Sequence, residues 1–450
     1  MKTSFTPALI QSTVNLLKDG NARFARQFPG ERPERQPIQT LYGGAQIFKA
    51  DTAAKLGAVA LRSLDEYAPT ADAFAKALSW KIPKKLAATL YARVREKLAR
   101  EPVEDFRIDF EDGYGNRPDA EEDGHAAFTA QEVARGLREK TLPPFIGIRT
   151  KPFTQELMHR AIRTLDIFVS TLVAETGGRL PDHFIITIPK PVIPEQVCAL
   201  ADLCEVLEKR LGLKPGSLLI ELMVETPQSI IGLDGEASLP RFVAAARGRC
   251  RGAHFGVYDY TASNNITAAY QSMTHPVCDF AREVQRVSLM GTGIWISDGA
   301  TNIMPVGPHR AAAGKKLTPK QRAENRAVVH RAWRIMHEHV QHSLYTGYYQ
   351  GWDLHPAQFP VRYATVYKFF LEGLETASHR LKTFVEKAAQ ATLIGDVFDD
   401  AATGQGLLNY FLRGINCGAL TEQEALATGL TLEEIRGRSF AKILETRRGR

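Results

Sequence analysis

Two acidic residues in the middle of the chain, Glu225 and Asp259, stand at the ends of segments that are otherwise largely apolar. Glu225 follows Leu218-Leu-Ile-Glu-Leu-Met-Val224 and begins Glu-Thr-Pro227, while Asp259 closes Ala253-His-Phe-Gly-Val-Tyr-Asp259. Each segment reads as a buried strand whose last residue is the carboxylate. Neighbouring parallel strands would set the two acids side by side at one end of a sheet. A carboxylate withdrawn from water is costly unless a cation accompanies it. Mg²⁺ answers that need, because it takes one or two carboxylates, keeps water and leaves positions for substrate oxygens. Mn²⁺ is the alternative ion. No His or Cys spacing favours zinc.

The surrounding elements must deliver both acids to one rim. A helical pattern of Leu9, Ile10, Val14, Leu16, Leu17 and Phe24 covers Pro7 to Arg26, and a Pro/Gly/Arg loop follows from Phe28 to Pro37. Thr40 to Phe48 reads as a short strand. Asp51 or Thr52 then caps a helix to Tyr67, and further helical patterns run over Ala71–Ser79 and Lys84–Arg100. From Asp105 a rhythm of strand, loop and helix repeats, including a helical region over Ile266–Ser288. Strands centred near residues 42, 108, 147, 186, 221, 256, 295 and 350 make eight. Eight βα units with short, doubly buried strands predict an α/β fold, a TIM (β/α)8 barrel with an N-terminal helical insertion and a C-terminal helical extension. The expected organisation is an N-terminal helical region with the first barrel strand over 1–104, the catalytic barrel over 105–362 and C-terminal helices over 363–450. A doubly wound open sheet is the alternative, but no G-x-G-x-x-G or P-loop follows any strand to favour it.

Active sites of such barrels lie at the C-terminal ends of the strands. The residues there are Glu111, Asp112, Arg149, Lys190, Glu225, Asp259, Asp298 and His355. Arg149 can bind a carboxylate bidentately and stabilise developing negative charge, or it can pair with Glu111 or Asp112. Glu111, Lys190 and His355 are candidate substrate contacts, and Asp112 is a candidate catalytic acid. Gly256 leaves room for close backbone approach, so that the amide of Val257 points into the site. For the general base the candidates are His254, Asp298 and His355, with Asp298 preferred because Ser-Asp-Gly ends a strand on the proper rim. A polar residue at one strand end also arises simply because the chain leaves the core there. The convergence of acids and bases on one rim is what carries the functional reading.

Composition narrows the classes. The chain of 450 residues is 44% hydrophobic and 24% charged, as expected for a globular protein with a sizeable core. No apolar run is long enough for a membrane span, and the start Met1-Lys-Thr-Ser-Phe-Thr6 lacks a signal-peptide core. Five scattered cysteines suit buried thiols in a reducing cytoplasm. The net charge of +7 sits largely in the terminal arms, at Arg23, Arg26, Arg32 and Arg35 and in Arg447-Arg-Gly-Arg450, which argues against a nucleic-acid partner. A small anionic carboxylate is the expected partner of a local positive field.

Six segments in register resemble the HpcH/HpaI aldolase and citrate lyase β-subunit-like superfamily. They are Asp109-Phe-Glu-Asp-Gly113, Gly147-Ile-Arg149, Ile188-Pro-Lys190, Val224-Glu-Thr-Pro227, Gly256-Val-Tyr-Asp259 and Leu354-His-Pro-Ala-Gln358. The resemblance spans roughly residues 40 to 365, in an aldolase-like branch, and Tyr258-Asp259-Tyr260 looks like the metal-ligand stretch of malate synthases. It implies an oligomeric TIM barrel with Mg²⁺ on Glu225 and Asp259, and Arg149 on the carboxylate and enolate oxygens of a 2-oxo acid. The implied activity is a Mg²⁺-dependent carbon–carbon lyase acting on a small 2-oxo or hydroxy carboxylic acid. An acyl-CoA lyase, a malate-synthase-like condensing enzyme and a phosphoenolpyruvate- or pyruvate-handling enzyme are the alternatives. A CoA thioester therefore stays open as a co-substrate, and a metabolite-binding barrel without turnover is a third class.

Overall fold

A computed structural model describes residues 3–32, 34–311, 314–386, 392–394, 397–399 and 401–448. Met1 and Lys2 of the start, and Gly449 and Arg450 of the basic tail, lie outside them. Eight parallel strands close into a barrel in sequence order. They are β1 (Gln39–Gly44), β2 (Asp105–Asp109), β3 (Phe145–Arg149), β4 (Ile185–Ile188), β5 (Leu219–Val224), β6 (Cys250–Phe255), β7 (Trp295–Ala300) and β8 (Gln350–Asp353). β8 closes on β1 with Gln39 beside Gly351 and Leu41 beside Asp353. Closure rules out the doubly wound sheet and leaves the TIM barrel.

One strand differs from its expected extent in a way that matters. β6 ends at Phe255, and Val257–Ser263 is a helix. Val257, Tyr260 and Thr261 are its buried residues, a helical spacing, while Tyr258 and Asp259 fall between them. Asp259 therefore sits in the first turn of a helix and not at a strand end. The helix expected over Ile266–Ser288 is also narrower, running from Pro276 to Leu289 behind the cap of His275.

Strand residues alternate between two environments. Ile108, Ile148, Ile186, Leu222 and Phe255 point outward and are buried beneath the helices. The inward residues are largely polar. Arg107 of β2 reaches across to Glu221 of β5, with Nη2 3.1 Å from Oε2, and also pairs with Asp105. Tyr42 and Thr187 donate to Glu221 Oε1 at 3.0 and 2.8 Å, and Thr40 donates to Asp105 at 3.1 Å. The lower barrel is thus filled by one buried ion network.

The helices Thr52–Tyr67, Ala71–Ala77 and Lys84–Arg100 lie between β1 and β2 and pack on the barrel's own helices. Trp80 donates to His337 at 3.0 Å. A boundary at 362 cuts the helix Phe359–Glu372, whose buried residues run from Phe359 to Phe370, so the barrel's last helix belongs to both expected segments. Beyond it the described residues form helices and the antiparallel pair Thr392–Ile394 and Val397–Asp399. No helix among the described residues is long and apolar enough to cross a membrane. All five cysteines are free, four of them buried.

Arg107→Met would leave Asp105 and Glu221 buried together without their cation. We expect a loss of about 3–5 kcal/mol in stability, read from chemical denaturation. A change no larger than that of a surface substitution would show that the network does not hold the barrel.

Candidate active site

The C-terminal ends of β2 to β6 bring charged side chains together in two linked sets. Arg149, the last residue of β3, is 1% exposed. Its Nε and Nη2 donate to the two oxygens of Asp109, on β2, at 2.7 and 2.6 Å, and Nη1 lies 2.9 Å from Glu111 Oε2. The rings of Tyr42 and Trp352 flank the guanidinium at 4.8 and 5.6 Å. Burial works against both charges of the pair. Each nevertheless holds the other ionised, with Asp109 below the usual carboxylate range and Arg149 raised. Nη1 of Arg149 and Oε2 of Glu111 are buried without a hydrogen-bond partner.

Lys190 is the centre of the second set. It follows β4 with φ of 49°, a left-handed backbone rare for a residue with a side chain. Its Nζ lies 2.6 Å from Glu111, 3.4 Å from Asp112, 3.5 Å from Asp259 and 4.0 Å from Glu225. Its backbone N–H donates to Glu225 Oε1 at 2.9 Å. Burial, together with Glu111 and Asp259, pushes the Glu225 carboxyl well above its ordinary range, and burial likewise raises Glu111. Gly256 is required here, because a Cβ would stand 2.5 Å from Glu225 Oε2. A cavity of about 380 Å³, lined by Glu111, Asp112, Asn116, Lys151 and Lys190 among others, opens over this cluster.

Glu111, Asp112, Arg149, Lys190, Glu225 and Asp259 are therefore neighbours, while other candidates stand elsewhere. Asp298 faces outward from β7, its Oδ1 accepting from Arg282 Nε at 2.9 Å and its Oδ2 from Ser343 Oγ at 2.5 Å. Both of its carboxylate oxygens are thus engaged in the helix layer, away from the acids of the mouth. The alternation of the strand sends Ser297 inward and Asp298 into the helix layer. His254 is inward but deep, 3.1 Å from Ser297, and burial lowers its pKa to about 4. His355 caps a short 3-10 helix, its Nδ1 accepting from Ala357 N–H at 3.1 Å, and is therefore held as a structural cap. The Gly256 N–H donates to Val224 O at 2.9 Å, and Val257 is buried. Gly256 thus serves the packing of Glu225, and Val257 is the first residue of the helix that carries Asp259.

The family model for a domain of unknown function, DUF6986, matches residues 17–443. The chain belongs to the DUF6986 family. No functionally curated protein matches it in sequence. Among solved structures, a citrate lyase from Burkholderia xenovorans LB400 is similar to this DUF6986 protein. It is 16% identical with a TM-score of 0.57, over 88% of this chain and 97% of that one. Also similar are protein CitE from Mycobacterium tuberculosis, in complex with magnesium, acetoacetate and coenzyme A, and a Haloferax volcanii malate synthase in a lead(II) complex. The first is 14% identical with a TM-score of 0.47, over 86% of this chain and 100% of that one. The second is 12% identical with a TM-score of 0.47, over 92% and 98%. The likeness to the citrate lyase establishes a common fold.

Several residues that build the site in this DUF6986 protein were not among the expected ones. Asp109 holds Arg149, Tyr42 and Trp352 flank it, and Arg107 and Glu221 fill the barrel beneath. The alternation in Asp105-Phe-Arg107-Ile-Asp109 carried the signal, since a charged residue at every second strand position marks an ionic barrel interior.

Asp298→Asn separates the two roles assigned to that residue. Burial opposes its charge, but Arg282 and Ser343 hold its pKa below the ordinary value. A depressed folded pKa gives stability that is present above the unfolded value, near 3.9, and is lost as pH falls through the folded value. Asp298→Asn should therefore cost about 3 kcal/mol at neutral pH, with the gap to wild type closing below about pH 4 in urea titrations. A variant of unchanged stability would return Asp298 to candidacy as a base.

Proposed function

We propose that this DUF6986 protein is a Mg²⁺-dependent carbon–carbon lyase acting on a small 2-oxo or hydroxy carboxylic acid, with Glu225 and Asp259 as the metal ligands. One observation carries the reading. Asp109, Glu111, Asp112, Glu225 and Asp259 crowd against only two cations, Arg149 and Lys190. Among the described residues no three His, Cys, Asp or Glu side chains stand as a ready-made metal site, because the carboxylates converge on the Lys190 ammonium. The donor set still fits a hard divalent cation: every ligand atom is an oxygen, and Glu111 Oε2 is buried without a hydrogen bond. The fold shared with a citrate lyase supports the assignment.

Mg²⁺ would supply Lewis acidity toward a substrate carbonyl and carboxylate oxygen. The chain's own residues provide the rest. Arg149 is locked by Asp109 and two aromatic rings, so its Nη1 is aimed before substrate arrives and can stabilise an enolate oxygen without reorganising. Lys190, with its backbone held by Glu225, can follow the substrate's carboxylate as its ammonium leaves the acids. Asp112, more than half exposed at its side chain, can exchange a proton with solvent at the mouth. That role falls to it because Asp298 faces the helices.

Three variants test this reading. Glu225→Gln and Asp259→Asn should each weaken Mg²⁺ binding by at least about tenfold in calorimetric titration. Each should also abolish pyruvate release from a panel of hydroxy-oxo acids and acyl-CoA thioesters, as should EDTA. Full turnover in either variant, or with EDTA present, would sink the mechanism. Lys190→Met should lower the melting temperature of the metal-free protein, and Mg²⁺ should restore more of it than in wild type. An unaltered response to Mg²⁺ would show that the ammonium and the ion do not share the same acids.

A further inference from the structure

A second cavity lies at the opposite end of the barrel from the carboxylate cluster. It has a volume of about 410 Å³. Its walls include Met290, just before β7, and Gly347 and Tyr349, just before β8, so it opens at the N-terminal end of the strands. Four arginines from four separated segments line it: Arg32 before β1, Arg286 on the helix Pro276–Leu289, Arg413 on the helix Ala401–Asn416, and Arg438 between the last two helices. Only two acids, Glu31 and Glu283, share the lining.

The acids do not saturate the guanidinium groups. Arg413 Nη2 pairs with Glu31 at 2.6 Å, and its guanidinium lies 5.2 Å from the Tyr349 ring. Arg286 pairs with Glu283 through Nη2, yet its Nε is buried with no hydrogen-bond partner. Arg32 uses Nε on the carbonyl of Gly293 at 2.7 Å, and Arg438 uses Nη1 on the carbonyl of Glu31. Carbonyls accept those hydrogen bonds but do not cancel the charges.

A contrast within the molecule points the same way. Nine arginines elsewhere, among them Arg35, Arg107, Arg149, Arg249 and Arg282, are raised by acidic partners. Arg438 is lowered, because burial outweighs Glu34 and Glu31. Arg251, under the barrel floor, is lowered by burial and by Arg32, and its Nε and Nη1 are buried without hydrogen bonds. At this end of the barrel five guanidinium groups, of Arg32, Arg251, Arg286, Arg413 and Arg438, meet three carboxylates, of Glu31, Glu34 and Glu283.

We propose that this cleft is a binding site for a small multivalent oxyanion, a polycarboxylate or a phosphate compound, separate from the barrel mouth. Two or more acidic groups are required, because Arg32, Arg286 and Arg438 approach from different walls. Planar guanidinium forks suit such groups better than they suit chloride or a monocarboxylate. Occupancy would tie the helix Ala401–Asn416 and the segment around Arg438 to the barrel floor. Binding there would therefore stabilise the docking of the C-terminal region.

The experiment uses the full chain, with inorganic pyrophosphate and citrate as probes and acetate as the monovalent control at matched ionic strength. Calorimetric titration should show binding of pyrophosphate or citrate but not acetate, with a rise in melting temperature. The double variant Arg286→Gln/Arg438→Gln, shown to be folded by circular dichroism, should bind at least about tenfold more weakly. Arg286→Lys, which keeps the charge and loses the fork, serves if the double variant does not fold and should also weaken binding. Glu225→Gln, at the mouth, should bind pyrophosphate as wild type does. Absence of binding by both multivalent probes, unchanged binding in the cleft variants, or loss confined to Glu225→Gln would overturn the proposal.

Discussion

A guanidinium with 1% exposure must be neutralised where it stands, and the arrangement of the barrel mouth follows from that constraint on Arg149. Asp109 takes two of its nitrogens, which is possible because β2 and β3 pair with Asp109 beside Arg149. Tyr42 and Trp352 close its faces from β1 and β8. One nitrogen is left for Glu111, and Glu111 in turn draws in Lys190. The left-handed backbone of Lys190 then presents its N–H to Glu225, and Gly256 makes room for the Glu225 side chain. Each step is forced by the one before it. The arginine is therefore fixed by paired hydrogen bonds and two rings, whereas on the lysine side a single ammonium serves several acids.

The second ion network lies one layer down, and its separation from the first has a chemical consequence. Arg107, Asp105 and Glu221 satisfy one another's hydrogen bonds with Tyr42, Thr40 and Thr187. The mouth is different: five acids meet two cations there, and Arg149 Nη1 and Glu111 Oε2 meet as an ion pair without a hydrogen bond. A buried network that is complete rigidifies a core, whereas one that is incomplete marks a place for a ligand. Tyr42 belongs to both, with its hydroxyl on Glu221 and its ring against Arg149. Damage to the lower layer should therefore be felt in the orientation of Arg149.

Much of the architecture was readable in the chain because the outward faces of the strands are rich in Ile, Leu and Phe. The eight strands fall at their expected places, and the helix Lys84–Arg100 begins and ends at the expected residues. The errors share one cause, the side-chain period. Asp298 lies one residue from the inward Ser297, and a shift of one position moves an acid from the site to the helix layer, where Arg282 holds it. Asp353 repeats the arrangement on β8, accepting from Arg362 at 2.8 Å. Asp259 was assigned to a strand because Val257 and Tyr260 are apolar, though their spacing suits a helix equally. The arginine cleft had no local signal at all. Its residues span positions 32 to 438, and only the closed barrel and the packed C-terminal helices bring them together.

That last point changes the standing of the C-terminal region. Read as an extension after residue 362, it could be removed with little consequence for the barrel. In the fold, Arg93 of the insertion between β1 and β2 bonds Glu424 at 2.6 Å and the carbonyl of Ala419 at 2.5 Å. Arg413 reaches Glu31 and the ring of Tyr349, which lead into the adjacent strands β1 and β8. The two helical regions thus clasp the barrel from the ends of the chain and are joined to each other as well as to it. Cutting either would expose apolar helix faces and strand half of several ion pairs, so cooperative unfolding of the whole chain is the physical expectation. The barrel supplies the acids and arginine of the mouth, but the arginines of the floor form a group only because Arg413 and Arg438 of the C-terminal region join Arg32 and Arg286.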